Sequence, residues 1–158
     1  MENIQLNTAS GAKIFIGGVA ADVDQASLED ATFVEVLGVE NLGEFGDEHE
    51  IVTFLALGDG RTRKMKGTAD AGTLELVVGR DGSDPGQVAL RAAAKTKSRY
   101  AFKVTLDDQV TAATGNPTTF YFAALVGSAR NSIGSANDVV KTTFPLLIDS
   151  AVYEMEAA

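Results

Sequence analysis

Residues 119–128 read TFYFAALVGS, an unbroken run of aromatic and aliphatic side chains from Phe120 to Val126. Successive side chains of a strand point to opposite faces, so a strand apolar at odd and even positions needs cover on both sides. It belongs in the middle of a layered structure, not on a solvated face. The segment 99-RYAFKVTLD-107 alternates instead: Tyr100, Phe102, Val104 and Leu106 face one way, and Arg99, Lys103 and Thr105 the other.

Other segments add to this β pattern. Residues 13–19 (KIFIGGV), 32–39 (TFVEVLGV), 51–57 (IVTFLAL) and 73–79 (TLELVVG) read as strands, and 139–153 as extended chain in which Pro145 marks an edge or a bulge. The turn 58-GDG-60 joins 51–57 to the basic strand 61-RTRKMKG-67 as a hairpin, placing 54 opposite 64 and 50 opposite 68. Between them, 40-ENLGEFGDEHE-50 reads as an acidic, glycine-bearing loop. One helix stands out in 84-DPGQVALRAAAKTK-97. Asp84 is its N-cap, Pro85 fills the first helical position, and Val88, Ala89, Ala92 and Ala93 form a small-residue face. Many short strands and one helix predict a mainly β fold, a β-sandwich or barrel-like sheet with one flanking α-helix, and 158 residues fit a single domain.

The chemistry of the chain is sparse. Without cysteine there is no thiolate or disulfide. No apolar run approaches the roughly 20 residues of a membrane helix. The opening MENIQLNTASGAK lacks the basic start and apolar stretch of a secretory leader, so a bacterial-type cytosol is the expected place of synthesis. The single histidine, His49, lies among acids in 47-DEHE-50, where a solvated surface residue is the plain reading and a metal ligand the sharper one. Residues 58-GDGRTRKMKG-67 lack phosphate-loop spacing, and 79-GRDGSDPG-86 lacks the spacing and closing Glu of an EF-hand. No catalytic residue, cofactor or metal is expected.

Charge is the informative property. The net charge is −9, yet residues 1–50 hold 11 acids and one Lys while residues 51–158 hold 11 acids and 12 bases. Four bases crowd into 61-RTRKMK-66. No aromatic interleaves them, and strand alternation puts positive charge on both faces, which makes a poor nucleic-acid groove. Segregated charge suits head-to-tail association of copies instead.

Taken together, 51-IVTFLALGDGRTRKMKGTADAGTLELVV-78, 81-DGSDPGQVALRAA-93, 99-RYAFKVTL-106 and 120-FYFAALVGS-128 resemble, in order and loose motif, the major tail tube proteins of long-tailed bacteriophages. The resemblance spans residues 32–150. It implies a structural virion protein whose copies close into hexameric rings that stack as a hollow tail tube, with DNA passing through the lumen without specific binding. Contractile-tail and type VI secretion tubes share that fold, so a tube protein of a contractile tail or of a secretion or gene-transfer particle is one alternative, and a soluble β-domain that binds without assembling is another. Implied partners are the chain itself, a tape measure and a tail terminator, with no membrane. Terminal arms at about 1–11 and 151–158 would add contacts. Within that frame, the expected subunit and ring-stacking residues are Glu44, Phe45, Asp47, Glu48, His49 and Glu50 on the acidic side, with Phe45 as apolar anchor. Arg61, Arg63, Lys64 and Lys66 are expected on the basic side.

Overall fold

In the computed structural model, residues 4, 6–110 and 114–158 are described; Met1, Glu2, Asn3 and Gln5 of the expected N-terminal arm lie outside this set. The elements run β1 (Lys13–Val19), α1 (Gln25–Glu29), β2 (Val34–Val36), β3 (Val39–Asn41), β4 (Glu48–Leu55), β5 (Thr62–Asp70) and β6 (Thr73–Gly79). Then follow α2 (Pro85–Ala94), β7 (Tyr100–Thr105), β8 (Thr119–Val126), β9 (Arg130–Ser132), β10 (Lys141–Ile148) and β11 (Tyr153–Met155). The fold is mainly β and antiparallel. Among the described residues there are two helices rather than the one expected: α1 lies in the polar stretch 22-DVDQASLED-30, where five residues are too few to show a helical period. Its signals are the cap Asp24, which accepts from the Ser27 amide, and the buried Leu28.

The main sheet has the order β2-β1-β7-β8-β10-β6-β3, with β11 on the first half of β8 and β9 on the first half of β10. The two ends of that order, β2 and β3, are consecutive in the chain and separated only by Leu37 and Gly38. The sheet therefore curls round until its ends nearly meet. The expected single strand at 32–39 is in fact two strands on opposite ends, broken where Gly38 takes φ +75°.

Curling encloses one core. Ile14 and Ile16 of β1, Phe102 and Val104 of β7, Phe122, Ala124 and Val126 of β8, and Leu74, Leu76 and Val78 of β6 all point into it. Phe144 and Leu146 of β10 and Leu90 and Ala93 of α2 complete it. Directly paired Phe102 and Phe122 stack with centroids 5.7 Å apart. Each such side chain, fully buried, stabilises the fold by roughly 1.5–3 kcal/mol. The other face of β7 and β8 presents Ala101, Ala123 and Tyr121 to Leu28 of α1. This is why Phe120–Val126 is apolar at odd and even positions alike: one face meets the core and the other meets α1.

Pro145 lies in a strand paired on both sides, not on an edge or a bulge. Its carbonyl accepts from Gly127 N (2.9 Å), so the side of the backbone lacking an N–H faces the point where β10 changes partner from β9 to β8. Pairing with β6 on the other side is undisturbed.

The helix start 84-DPGQ-87 fastens the curl. Asp84 Oδ2 caps α2 through Gln87 N (3.1 Å) and also accepts from Leu37 N (3.1 Å) at the β2–β3 corner. Gln87, wholly buried, donates from Nε2 to Leu37 O (2.8 Å) and Gly79 O (2.9 Å) and accepts from Asp81 N (2.9 Å). Gly86 lets the helix press on β2: a Cβ there would stand 2.7 Å from Val36 Cα and collide with Glu35 O.

Gln87→Leu leaves three part-buried backbone groups without their partner and is expected to lower stability by about 2 kcal/mol or more. Gly86→Ala should also destabilise, whereas Gly82→Ala, with open space at its Cβ, should be silent. Urea unfolding of the three variants checks this. A second expectation concerns acid. The Thr118 hydroxyl and then its backbone N–H hold the Asp108 carboxyl below its usual 3.8. Its folded pKa is lower than its unfolded one, so its contribution is present above pH 3.8 and is lost as pH falls through the folded value. Unfolding midpoints should drop below pH 4, and less steeply in Asp108→Asn.

Candidate assembly interface

Strands β4 and β5 form a two-stranded sheet of their own, outside the main sheet. Every residue of both is exposed except half-buried Gly67. At the tip, Ala56 O accepts from Asp59 N (3.2 Å) and Gly60 N (3.3 Å), and Gly60 takes φ +65°. Arg63 Nε pairs with Asp59 Oδ2 at 2.8 Å, so one member of the basic cluster is partly neutralised within the turn.

The register pairs Phe54 with Arg63, Thr53 with Lys64, Val52 with Met65 and Ile51 with Lys66. The turn sets the tip one residue off the expected pairing of 54 with 64, and a bulge between His49 and Ile51 returns the base, with His49 opposite Ala69, to the register expected from 50 opposite 68. The two faces carry similar mixtures: Val52, Phe54, Met65 and Arg63 on one, and Ile51, Leu55, Lys64 and Lys66 on the other. The division is by strand. Toward the tip, β4 supplies Ile51, Val52, Phe54 and Leu55, and β5 supplies Arg63, Lys64 and Lys66 with Met65 among them. Ile51 (67%), Phe54 (60%), Leu55 (61%) and Leu57 (102%) stand in solvent. An isolated hairpin is marginal in water, and an apolar surface of this kind marks a contact site. These apolar residues were missed in the sequence, because 51–57 looks like any buried strand.

At the base of the hairpin lies a groove of about 870 Å³. Glu44, Asp47, Glu48, Glu50 and Asp70 line it together with His49 and Phe45. The structure thus brings the expected acidic residues together, though not in one loop: Glu48, His49 and Glu50 belong to β4, and the loop is confined to 42–47. Nor is that loop free to bend. Gly43, at φ +71°, lies so close to β6 that a Cβ would be 3.0 Å from Glu75 O, and Gly46 N donates to Ala71 O (3.4 Å). Phe45 is half-buried in the chain's own core, edge-on to Phe120 with centroids 5.1 Å apart, instead of facing outward as an anchor for another subunit. Its inward turn follows from the pinned loop.

Glu48 stands directly opposite Asp70, a like-charge pair that destabilises the hairpin base in an isolated chain. Leu55, opposite Thr62, is seven residues from Glu48, about 23 Å at roughly 3.3 Å per residue. The basic stretch thus runs from the tip, at Arg61 and Arg63, down to Lys66 opposite Ile51, next to the Glu50 that lines the acidic groove at the base. His49 is exposed on β4, and among the described residues no three His, Asp or Glu side chains form a metal-binding group.

Comparison with known structures places this fold. A chain of the anti-feeding prophage (AFP) baseplate superposes with a TM-score of 0.71 at 13% identity, covering 99% of this chain and 98% of that one. A chain of the sheath/tube terminator structure of the PVC extracellular contractile injection system gives 0.67 at 14% identity, covering 96% and 98%. The tail tube of phage SPP1 gives 0.65 at 14% identity, covering 96% and 80%. No protein-family model and no curated protein sequence matches the chain. The fold is the one found in phage tail tubes and contractile injection systems.

Replacing Glu48 by Lys converts a repelling cross-strand pair into an attracting one. Glu48→Lys should stabilise the isolated chain by a few tenths to about 1 kcal/mol, measured by thermal or urea unfolding under conditions that keep it monomeric.

Proposed function

We propose that the chain is a structural, non-enzymatic tube protein. Copies close into rings, six to a ring, and the rings stack into a hollow phage tail tube through which DNA leaves without specific binding. The carrying observation is the projecting β4–β5 hairpin: toward its tip one strand apolar, one basic, nearly all exposed, with an acidic groove at its root. Such a contact is heterologous, since the donor and acceptor surfaces differ, and closure gives a ring. The 6-fold symmetry belongs to the AFP baseplate structure and is carried to this chain as part of the proposal.

In this reading Arg61, Lys64 and Lys66 of one copy meet Glu44, Asp47, Glu48 and Glu50 of another. Burial of Ile51, Phe54, Leu55 and Leu57 supplies most of the free energy, and the charges set register and partner. Tape-measure and terminator proteins would be the further partners, and the virion the place of action.

A second reading, the inner tube of a contractile injection device, is favoured by coverage. The AFP and PVC terminator chains are matched over 98% of their length, the SPP1 chain over 80%.

Negative-stain microscopy and sedimentation test the proposal. The wild-type chain should give rings or tubes. Lys64→Glu with Lys66→Glu should shift it toward monomers, and adding Glu48→Lys with Glu50→Lys should partly restore assembly. Equal polymerisation of all three at low and high salt would remove the charge pairing. A wild-type chain that stays monomeric at high concentration would remove the tube reading.

A further inference from the structure

Three cations converge at the end of α2, in a pocket of about 620 Å³ that shares no residue with the hairpin or the acidic groove. Arg80 follows β6, Arg91 lies in the last turn of the helix, and Lys95 is its C-cap. The apolar part of the lining includes Val88, Ala92 and Ala129. Arg80 is held in place: Nη1 donates to Asn131 Oδ1 (3.0 Å), which also accepts from the hydroxyl of the buried Thr142 (2.8 Å), and its amide donates to Val140 O (2.9 Å). Arg91 is different. Its Nη1 is buried and has no hydrogen-bond partner among the described residues. Asp81 feels the Arg91 charge but spends its Oδ1 on the Ser83 amide (2.9 Å) and hydroxyl (2.7 Å), and forms no ion pair with it.

A buried guanidinium N–H without an acceptor is costly; Nη1 is closed to solvent, so an oxyanion in the pocket would remove that cost by a charge-assisted bond once the Arg91 side chain turns toward the lining. We propose that this pocket receives a carboxylate side chain from a second copy of the chain, donated by the segment 22-DVDQASLED-30. The inference rests on the assembly reading above. The donor follows from placement and charge. Leu28 of α1 and Leu90 of α2 pack on opposite faces of the β7–β8 sheet, so the two helices lie on opposite sides. Residues 22–30 carry Asp22, Asp24, Glu29 and Asp30, all exposed, and no base. An acidic helix on one side and a basic pocket on the other are the two unlike surfaces that a head-to-tail ring needs. Asp24 is occupied in capping Ser27, which leaves Asp22, Glu29 and Asp30; of these the adjacent Glu29, which also accepts from Gln25 Nε2 (2.8 Å), and Asp30 at the end of α1 are the donors to test first. The apolar lining would take the methylenes of such a side chain.

The test compares the wild-type chain with Arg91→Met, which keeps the aliphatic stem and removes the unpartnered donor. The monomer should fold with an unchanged or higher thermal midpoint, and the concentration needed for assembly should rise about tenfold. Arg91→Glu should block assembly, and Glu29→Lys with Asp30→Lys in the same chain should partly restore it. Sedimentation reads each case. If wild-type protein assembles and Arg91→Met assembles alike, the inference fails while the tube reading stands. If wild-type protein never assembles, both fail. Calorimetry with inorganic phosphate covers the other source of oxyanion: saturable binding that leaves assembly unchanged would assign the pocket to a free anion and overturn the proposal.

Discussion

The fold depends on one small polar joint. Where β2 ends and β3 begins, the chain passes from one end of the sheet to the other in two residues, and Asp84 and Gln87 hold that corner to the end of β6 and the start of α2. A buried amide that satisfies three backbone groups at once costs little in desolvation and defines a single geometry. Without it, β2 and β3 would be short edge strands with little reason to approach one another. With it, the curled sheet encloses the core around the stacked Phe102–Phe122 pair, and α2 covers it through Leu90 and Ala93.

Outside that joint the molecule is left incomplete as a single chain. The β4–β5 hairpin buries almost none of its own apolar surface, its base sets Glu48 against Asp70, and α2 ends in a guanidinium with an unpartnered buried nitrogen. Each feature is unfavourable in isolation, and each is relieved by a surface of opposite character. The chain carries such surfaces: an acidic groove, a basic strand, an acidic helix and a basic pocket. The β7–β8 sheet keeps the acidic helix and the basic pocket apart, so that those two are available to other copies rather than to one another.

The alternation in 99–107 and its absence in 119–128 were legible because they report only local exposure, and the structure places Phe102 and Val104 inside and α1 over Ala123 accordingly. The cap and helix start at Asp84 and Pro85 were legible for the same local reason. The second role of that motif was not, because Leu37 lies 47 residues from Asp84 and 50 from Gln87 in the chain. Phe45 was misread through its context. Acids and glycines around it look like a solvated loop, yet Gly43 lets the backbone press against Glu75 and the ring turns inward to Phe120.

What the sequence determined by itself was chemical: a mainly β chain with a capped helix, no thiol chemistry, a single histidine, and acid concentrated in its first fifty residues. Those properties belong to residue types and their short-range spacing. Tertiary structure alone decided which apolar strands are core and which stand in solvent. Residues 73–79 and 51–57 are comparable in composition, but β6 is paired with β10 and β3 and faces the core, while β4, among the described residues, pairs with β5 alone. The difference is pairing over long sequence separation, which depends on how the sheet curls and is not written in either segment.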